Sequence, residues 1–196
     1  MIENSTNVTA MAAIQLKKWQ NIDLIFEEVV NQLRSERIVV AGYIQKEIQQ
    51  PAHCCSTVYV EDIASGSLQC ISQALGSGSR GCRLDTAAMA AATGTLLAQI
   101  DEKIDLLVIN RFGKGETEGG GLRAAIETAV LHDIPVLVGV RDTYMQDWVA
   151  FAGESFNALP PNTDSVLQWC REALLHEARS SSDAVTDYHD YSSRLI

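Results

Sequence analysis

Ile104–Val140 reads IDLLVINRFGKGETEGGGLRAAIETAVLHDIPVLVGV, and its two apolar runs decide the architecture. Ile104–Ile109 and Ile134–Val140 are short, continuous and rich in β-branched residues, the composition of strands covered on both faces. Between them a glycine-rich loop, Asn110–Gly121, leads into a helical stretch, Leu122–His132. A crossover of this kind holds the two strands parallel with a right-handed connection.

The same alternation extends in both directions. Upstream, the apolar run Ala10–Leu16 (AMAAIQL) precedes a helical stripe of Ile22, Leu24, Ile25, Val29, Val30 and Leu33. Arg37–Tyr43 (RIVVAGY) reads as a buried strand and Gln49–Ser56, with Pro51, as a loop. Thr57–Ile63 and Ser67–Ser72 read as a hairpin turned by Ala64-Ser65-Gly66. After a second loop, Leu75–Ser79, Asp85 caps an Ala-rich helix over Thr86–Ile100. Downstream, Asp142 caps a helix through Phe151, Ser155–Leu159 adds a short strand, and Asn162 or Thr163 caps a last helix ending near Ala178. The expectation is an α/β fold, a three-layer doubly wound parallel sheet with the hairpin inserted as an appendage. One domain, 10–179, is expected between a loose leader, 1–9, and a flexible tail, 180–196.

Composition narrows the function. The formal charge is −10, with 15 Lys and Arg against 25 Asp and Glu, which argues against binding a nucleic-acid backbone. It leaves room for one local cationic pocket. No apolar run approaches the roughly 20 residues of a membrane span, and the polar start lacks the order of a secretory signal, so a cytoplasmic protein is expected. Five cysteines (Cys54, Cys55, Cys70, Cys82, Cys170) lack the spacing of a disulfide framework and are expected to be reduced. His53-Cys54-Cys55 has no second Cys pair to complete a zinc site.

Ligands of doubly wound folds sit beyond the carboxyl ends of the strands, which places the loop after Ile109 where function is expected. Gly119, Gly120 and Gly121 directly precede a helix, so their amides are free to converge on an anion at a positive helix end, with Lys114 and Arg123 adding charge and Asn110 at the strand end. The alternative is a surface loop whose glycines only relieve strain. Glu116 is a candidate Mg²⁺ ligand, directly or through water, or else a partner for Arg111 or Arg123. Arg83, before the Ala-rich helix, either reaches the same pocket or organises the turn with Asp85. Cys82 is read as inert, His132 as a helix-end group, and Trp148 with Phe151 as core rather than ligand stack. No G-x-x-x-x-G-K-[ST] motif occurs; the segment after the first strand reads LKKWQNID, with Lys17 and Lys18 read as a solvated helix start.

The stretches ISQALGSGSRGCRLDTAAMAAA (from Ile71), DLLVINRFGKGETEGGGLRAAIETAVLHDIPVLVGV (from Asp105) and WVAFAGESFNAL (from Trp148) closely resemble the bacterial domain-of-unknown-function 2478 family, over about Ala10 to Leu159. That family is in turn distantly similar to small P-loop nucleoside-triphosphatases, so the resemblance implies a P-loop-NTPase-like sheet. In those enzymes the corresponding strand ends in an acidic pair followed by Gly-Lys and Glu. Here Asn110 and Arg111 replace the acids, while Gly113, Lys114 and Glu116 keep the pattern. The resemblance therefore implies a degenerate nucleotide site and, through its association with molybdate transport, an oxyanion such as molybdate as an alternative ligand. The leading expectation is binding of a nucleotide phosphate or oxyanion without efficient hydrolysis. A divergent Mg-dependent nucleotidase is the second. The third is an accessory or assembly protein for a metalloenzyme or transporter, contacting its partner through the hairpin and the tail. Val58, Val60 and Ile71 of the hairpin are candidates for pairing two copies as a homodimer.

Overall fold

A computed structural model describes residues 9–17, 22–49, 57–73 and 84–192, with side chains to residue 177. Its strands are β1 (Met11–Leu16), β2 (Val40–Ile48), β3 (Thr57–Asp62), β4 (Leu68–Cys70), β5 (Leu106–Phe112), β6 (Val136–Arg141) and β7 (Asn157–Leu159). The helices are α1 (Asp23–Ser35), α2 (Thr86–Asp101), the single turn α3 (Lys114–Thr117), α4 (Arg123–Leu131), α5 (Met145–Ala152) and α6 (Thr163–Ser192). The sheet order is β4-β3-β2-β5-β6-β1-β7. The five strands from β2 to β7 are parallel to their neighbours, and β3 and β4 add an antiparallel edge.

Period-two alternation divides the strands between two cores. Leu106 and Val108 of β5 face α1 and α6 together with Ile14, Phe26, Leu33 and Trp169. Leu107 and Ile109 face α2 and α4, with Leu96, Ile126, Val138 and Trp148. These strands are apolar throughout because both faces are covered, which gives the three layers read from Ile104–Val140.

The boundaries moved in three places. The hairpin strands continue the main sheet instead of forming an appendage, because β2 runs on to Ile48 and pairs with β3 from Tyr43↔Asp62 to Ile48↔Thr57. The polar Gln45, Lys46 and Glu47 hid that extension. Val60 and Ile71 are 3% and 2% exposed within the chain's own core, with Val58 packed against it, so they do not form an apolar face for a second copy. The segment after β6 opens as a 3-10 turn, Asp142–Tyr144, before α5. Helix α6 continues past Ala178 to Ser192, since no Gly or Pro interrupts that stretch.

Local capping follows the sequence at α2 and α6, but Asp142 caps no helix, since the 3-10 turn and α5 both start without a side-chain cap. Asp85 Oδ1 accepts the Ala87 and Ala88 N–H groups, both at 3.0 Å. Asn162, rather than Thr163, accepts the Ser165 N–H at the start of α6, at 2.9 Å. His132 stands at the carboxyl end of α4 as the C-cap residue. Among the described residues no helix is long and apolar enough to cross a membrane.

Candidate functional site

The site begins with an irregularity in β5. Ile109 pairs with Val138 and Phe112 with Val140, so Asn110 and Arg111 together stand opposite Gly139. Two residues against one is a β-bulge, a feature that re-aims side chains near functional sites. Gly139 makes room for it: a Cβ there would lie 2.2 Å from the Asn110 carbonyl oxygen.

The bulge brings both side chains to the first turn of α1. Asn110 is 2% exposed. Its Nδ2 donates to Asp23 Oδ1 and its Oδ1 accepts the Gln45 N–H, each at 2.8 Å. Arg111 reaches Asp23 at 3.4 Å and Glu47 at 3.0 Å. Asp23 is thus gripped by an amide and a guanidinium at a helix end that already favours negative charge. The strand end, where the resemblance would put an acidic pair, carries donors to a carboxylate on α1.

The glycine-rich loop is organised around a second carboxylate. Glu116, on α3, is 7% exposed; Oε2 accepts the Gly113 N–H and Oε1 the Leu122 N–H, both at 2.9 Å. The amides of Gly119 and Gly120 donate to the carbonyls of Glu116 and Gly115 at 3.1 and 2.8 Å. The loop therefore wraps its own anion and returns on itself into α4. Glu116→Gln keeps the shape and removes the charge, setting an amide N–H₂ against a backbone donor. A loss of about 2 kcal/mol is expected by urea denaturation; an unchanged midpoint would mean that the clamp contributes nothing.

The residues expected around one anion are distributed differently. Lys114 pairs with Glu118 at 3.5 Å, both side chains 65% exposed. Arg123 pairs with Glu127 at 2.8 Å and lies 4.6 Å over the Phe151 ring. Gly119, Gly120 and Gly121 serve the Glu116 turn, and Asn110 serves Asp23. Glu116, the candidate Mg²⁺ ligand, has both oxygens held by backbone amides; with Asn110 and Arg111 at the strand end, these residues do not fit a Mg²⁺ anchor of that kind. Arg83 lies outside the described residues, as do Lys18, His53, Cys54, Cys55 and Cys82.

What the strand ends do enclose is a cavity of about 250 Å³, on the α2 side of β2, β5 and β6. The aromatic residues Tyr43, Phe112 and Tyr144 line it, with Val60, Ile71, Leu84 and Met89. Its charged lining sets three cations, Arg111, Lys114 and Arg141, against two carboxylates, Glu47, which pairs with Arg111, and Glu116, which is held by backbone amides. Arg141 is exposed and, among the described residues, forms no ion pair. Burial, reinforced by the Asp62 charge, pushes the Tyr43 hydroxyl above its ordinary pKa, and it donates to the Ala92 carbonyl at 3.0 Å. Trp148 is fully buried and packs edge-on to Phe112, 5.3 Å between ring centroids, so it is core.

Sequence reasoning missed Arg141, Tyr144 and Asp23. The rule that drew attention to the end of β5 applies equally to the end of β6, where Arg141 directly follows the apolar run. Among the cysteines, Cys70 is exposed, whereas burial pushes the Cys170 thiol to a pKa of about 12. Iodoacetamide at pH 8 is expected to label Cys70 and spare Cys170 in the folded protein, read by peptide mapping; equal labelling would contradict the burial.

Two solved structures share this architecture. A human cancer-related nucleoside triphosphatase superposes with a TM-score of 0.56 at 14% identity, covering 76% of this chain and 88% of its own. THEP1 from the hyperthermophile Aquifex aeolicus gives 0.56 at 12% identity, covering 81% and 95%. At such identities the likeness is one of fold, and the fold is that of small P-loop nucleoside triphosphatases. Molybdenum import ATP-binding protein ModC 2 of Bradyrhizobium diazoefficiens is 29% identical over 177 residues, 89% of this chain and 20% of that protein. The chain thus spans about a fifth of that relative's length. The profile of the family described as protein of unknown function (DUF2478) matches residues 11–169, and the chain belongs to that family.

Proposed function

We propose that the chain binds a nucleotide phosphate or a small oxyanion at the mouth of the cavity beyond β2, β5 and β6, without efficient hydrolysis. The observation that carries this reading is the gathering of Arg111, Lys114 and Arg141 around one opening in a chain of net charge −10. General electrostatic attraction does not bring an anion to an acidic protein, so recruitment falls to these local cations, of which Arg141 forms no ion pair among the described residues. The ATP-binding relative supports a nucleotide, and its role in molybdenum import supports molybdate as an alternative ligand. Weak turnover follows from the strand end, where an amide and a guanidinium replace the carboxylates that anchor metal and orient water, and from Glu116 being engaged by backbone amides.

Calorimetric titration with ATP, GTP, phosphate, molybdate and tungstate tests the reading. At least one is expected to bind below millimolar. Lys114→Ala combined with Arg141→Ala should weaken it about tenfold, equivalent to roughly 1.4 kcal/mol. The exposed Lys114–Glu118 pair contributes little to folding, so its loss leaves the scaffold intact. Arg123→Ala should leave binding unchanged. Absence of binding, or indifference to the double substitution, would overturn the proposal.

A further inference from the structure

The cavity's walls and its mouth differ in chemistry, and the difference identifies the kind of anion. A bare tetrahedral oxyanion needs convergent N–H donors on several sides, because stripping its hydration without replacing those bonds is costly. Around this cavity several of those donors are already committed. The Gly113 and Leu122 amides go to Glu116, and the Asn110 side-chain amide goes to Asp23 and the Gln45 carbonyl. Beside the polar Gln45, Glu47, Asn110 and Glu116, the walls are apolar and aromatic: Tyr43 and Phe112 from the sheet, Leu84 and Met89 from the approach to α2 and its first turn, and Tyr144 after β6. Such walls favour a flat, weakly polar body.

Resting on the reading above, we propose that the cavity is specific for a heteroaromatic phosphate ester of the mononucleotide class, its ring system seated among Tyr43, Phe112, Met89 and Tyr144 and its phosphate at the mouth between Arg111, Lys114 and Arg141. Bare oxyanions are poor ligands. The volume agrees. At about 250 Å³ the cavity falls just below the roughly 300–1,000 Å³ of sites that swallow a drug-sized molecule. It houses a ring system and leaves the charged group at the mouth, where the exposed Lys114 and Arg141 meet it beside Arg111, itself held by Asp23 and Glu47. Specificity then lies with the ring, since the cations recognise any phosphate.

Competition calorimetry on the full chain distinguishes this from the broader reading. AMP and GMP are expected to bind at least tenfold more tightly than inorganic phosphate or molybdate. Leu84→Trp, which fills the cavity from the side, should weaken AMP at least tenfold and leave any phosphate binding unchanged. Tyr144→Ala is a second variant, at a partly buried position, with the same expected direction. Phosphate or molybdate binding as tightly as AMP would overturn this inference while the anion-binding reading survives. So would equal losses for AMP and phosphate in both variants. If no anion binds at all, the broader reading fails and this one falls with it.

Discussion

Gly121→Ala is expected to lower stability by about 4 kcal/mol, whereas Gly120→Ala, one residue earlier, should cost less than about 1 kcal/mol. Gly121 has φ +58°, and a Cβ on it would lie 2.1 Å from Glu116 Oε1. An alanine there bears the left-handed penalty of roughly 1–2 kcal/mol and expels the carboxylate from its two amides, each worth roughly 1.5–3 kcal/mol as a charge-assisted bond. The backbone of Gly120 has no such restriction; a Cβ would make ordinary contact, 3.5 Å from the Gly115 carbonyl. Urea denaturation of the two variants gives the comparison. Repeating Gly121→Ala in a Glu116→Ala background should reduce its cost to the backbone penalty alone, because the two residues are coupled. Equal tolerance at 120 and 121 would show that Glu116 does not occupy this space and would return the glycines to a ligand-binding role.

The second large effect concerns the strand end. Asn110→Asp restores a carboxylate where the resembled enzymes carry one, but here it would face Asp23 across what is now a 2.8 Å hydrogen bond. Two carboxylates at that distance, one of them on a residue 2% exposed, repel each other, and Arg111, 3.4 Å from Asp23, offsets only part of this, so the variant's pair is expected to hold a proton above the ordinary carboxylate range. The sign follows. Between the unfolded carboxylate pKa, roughly 3.9, and the raised folded value, the native state binds more protons than the unfolded chain, so stability falls as pH rises through that window. The variant should lie about 3 kcal/mol below the parent at pH 7 and within about 1 kcal/mol of it at pH 4. Thermal melts across that range would measure the difference. A pH-independent difference would mean that Asp23 is not where Asn110 points.

The layered sheet was legible because burial on both faces leaves continuous apolar runs, as in Leu106–Ile109 and Val136–Val140. The hairpin's place was not, because Gln45, Lys46 and Glu47 give the end of β2 a polar composition that hides its pairing with β3. The candidate loop was found, and its internal economy was not. Lys114, the glycine run and Arg123 have the composition of an anion cradle, but Glu116, read as a Mg²⁺ ligand or an arginine partner, is the anion the loop folds around. Nothing local in the sequence separates an internal carboxylate from a bound phosphate, since both want the same amides. The bulge had a faint signal in Gly139, a glycine inside an otherwise unbroken strand. The cavity had none, because its walls come from segments as distant in sequence as Tyr43, Met89 and Tyr144.

The most direct measurement is a crystal structure of the protein soaked in AMP. Ring density between Tyr43, Phe112 and Tyr144, with the phosphate beside Arg111 and Arg141, is the predicted result. A nucleotide lodged against Gly119–Gly121 with Glu116 displaced, or bound at the start of α1 with Asp23 swung aside, would contradict it.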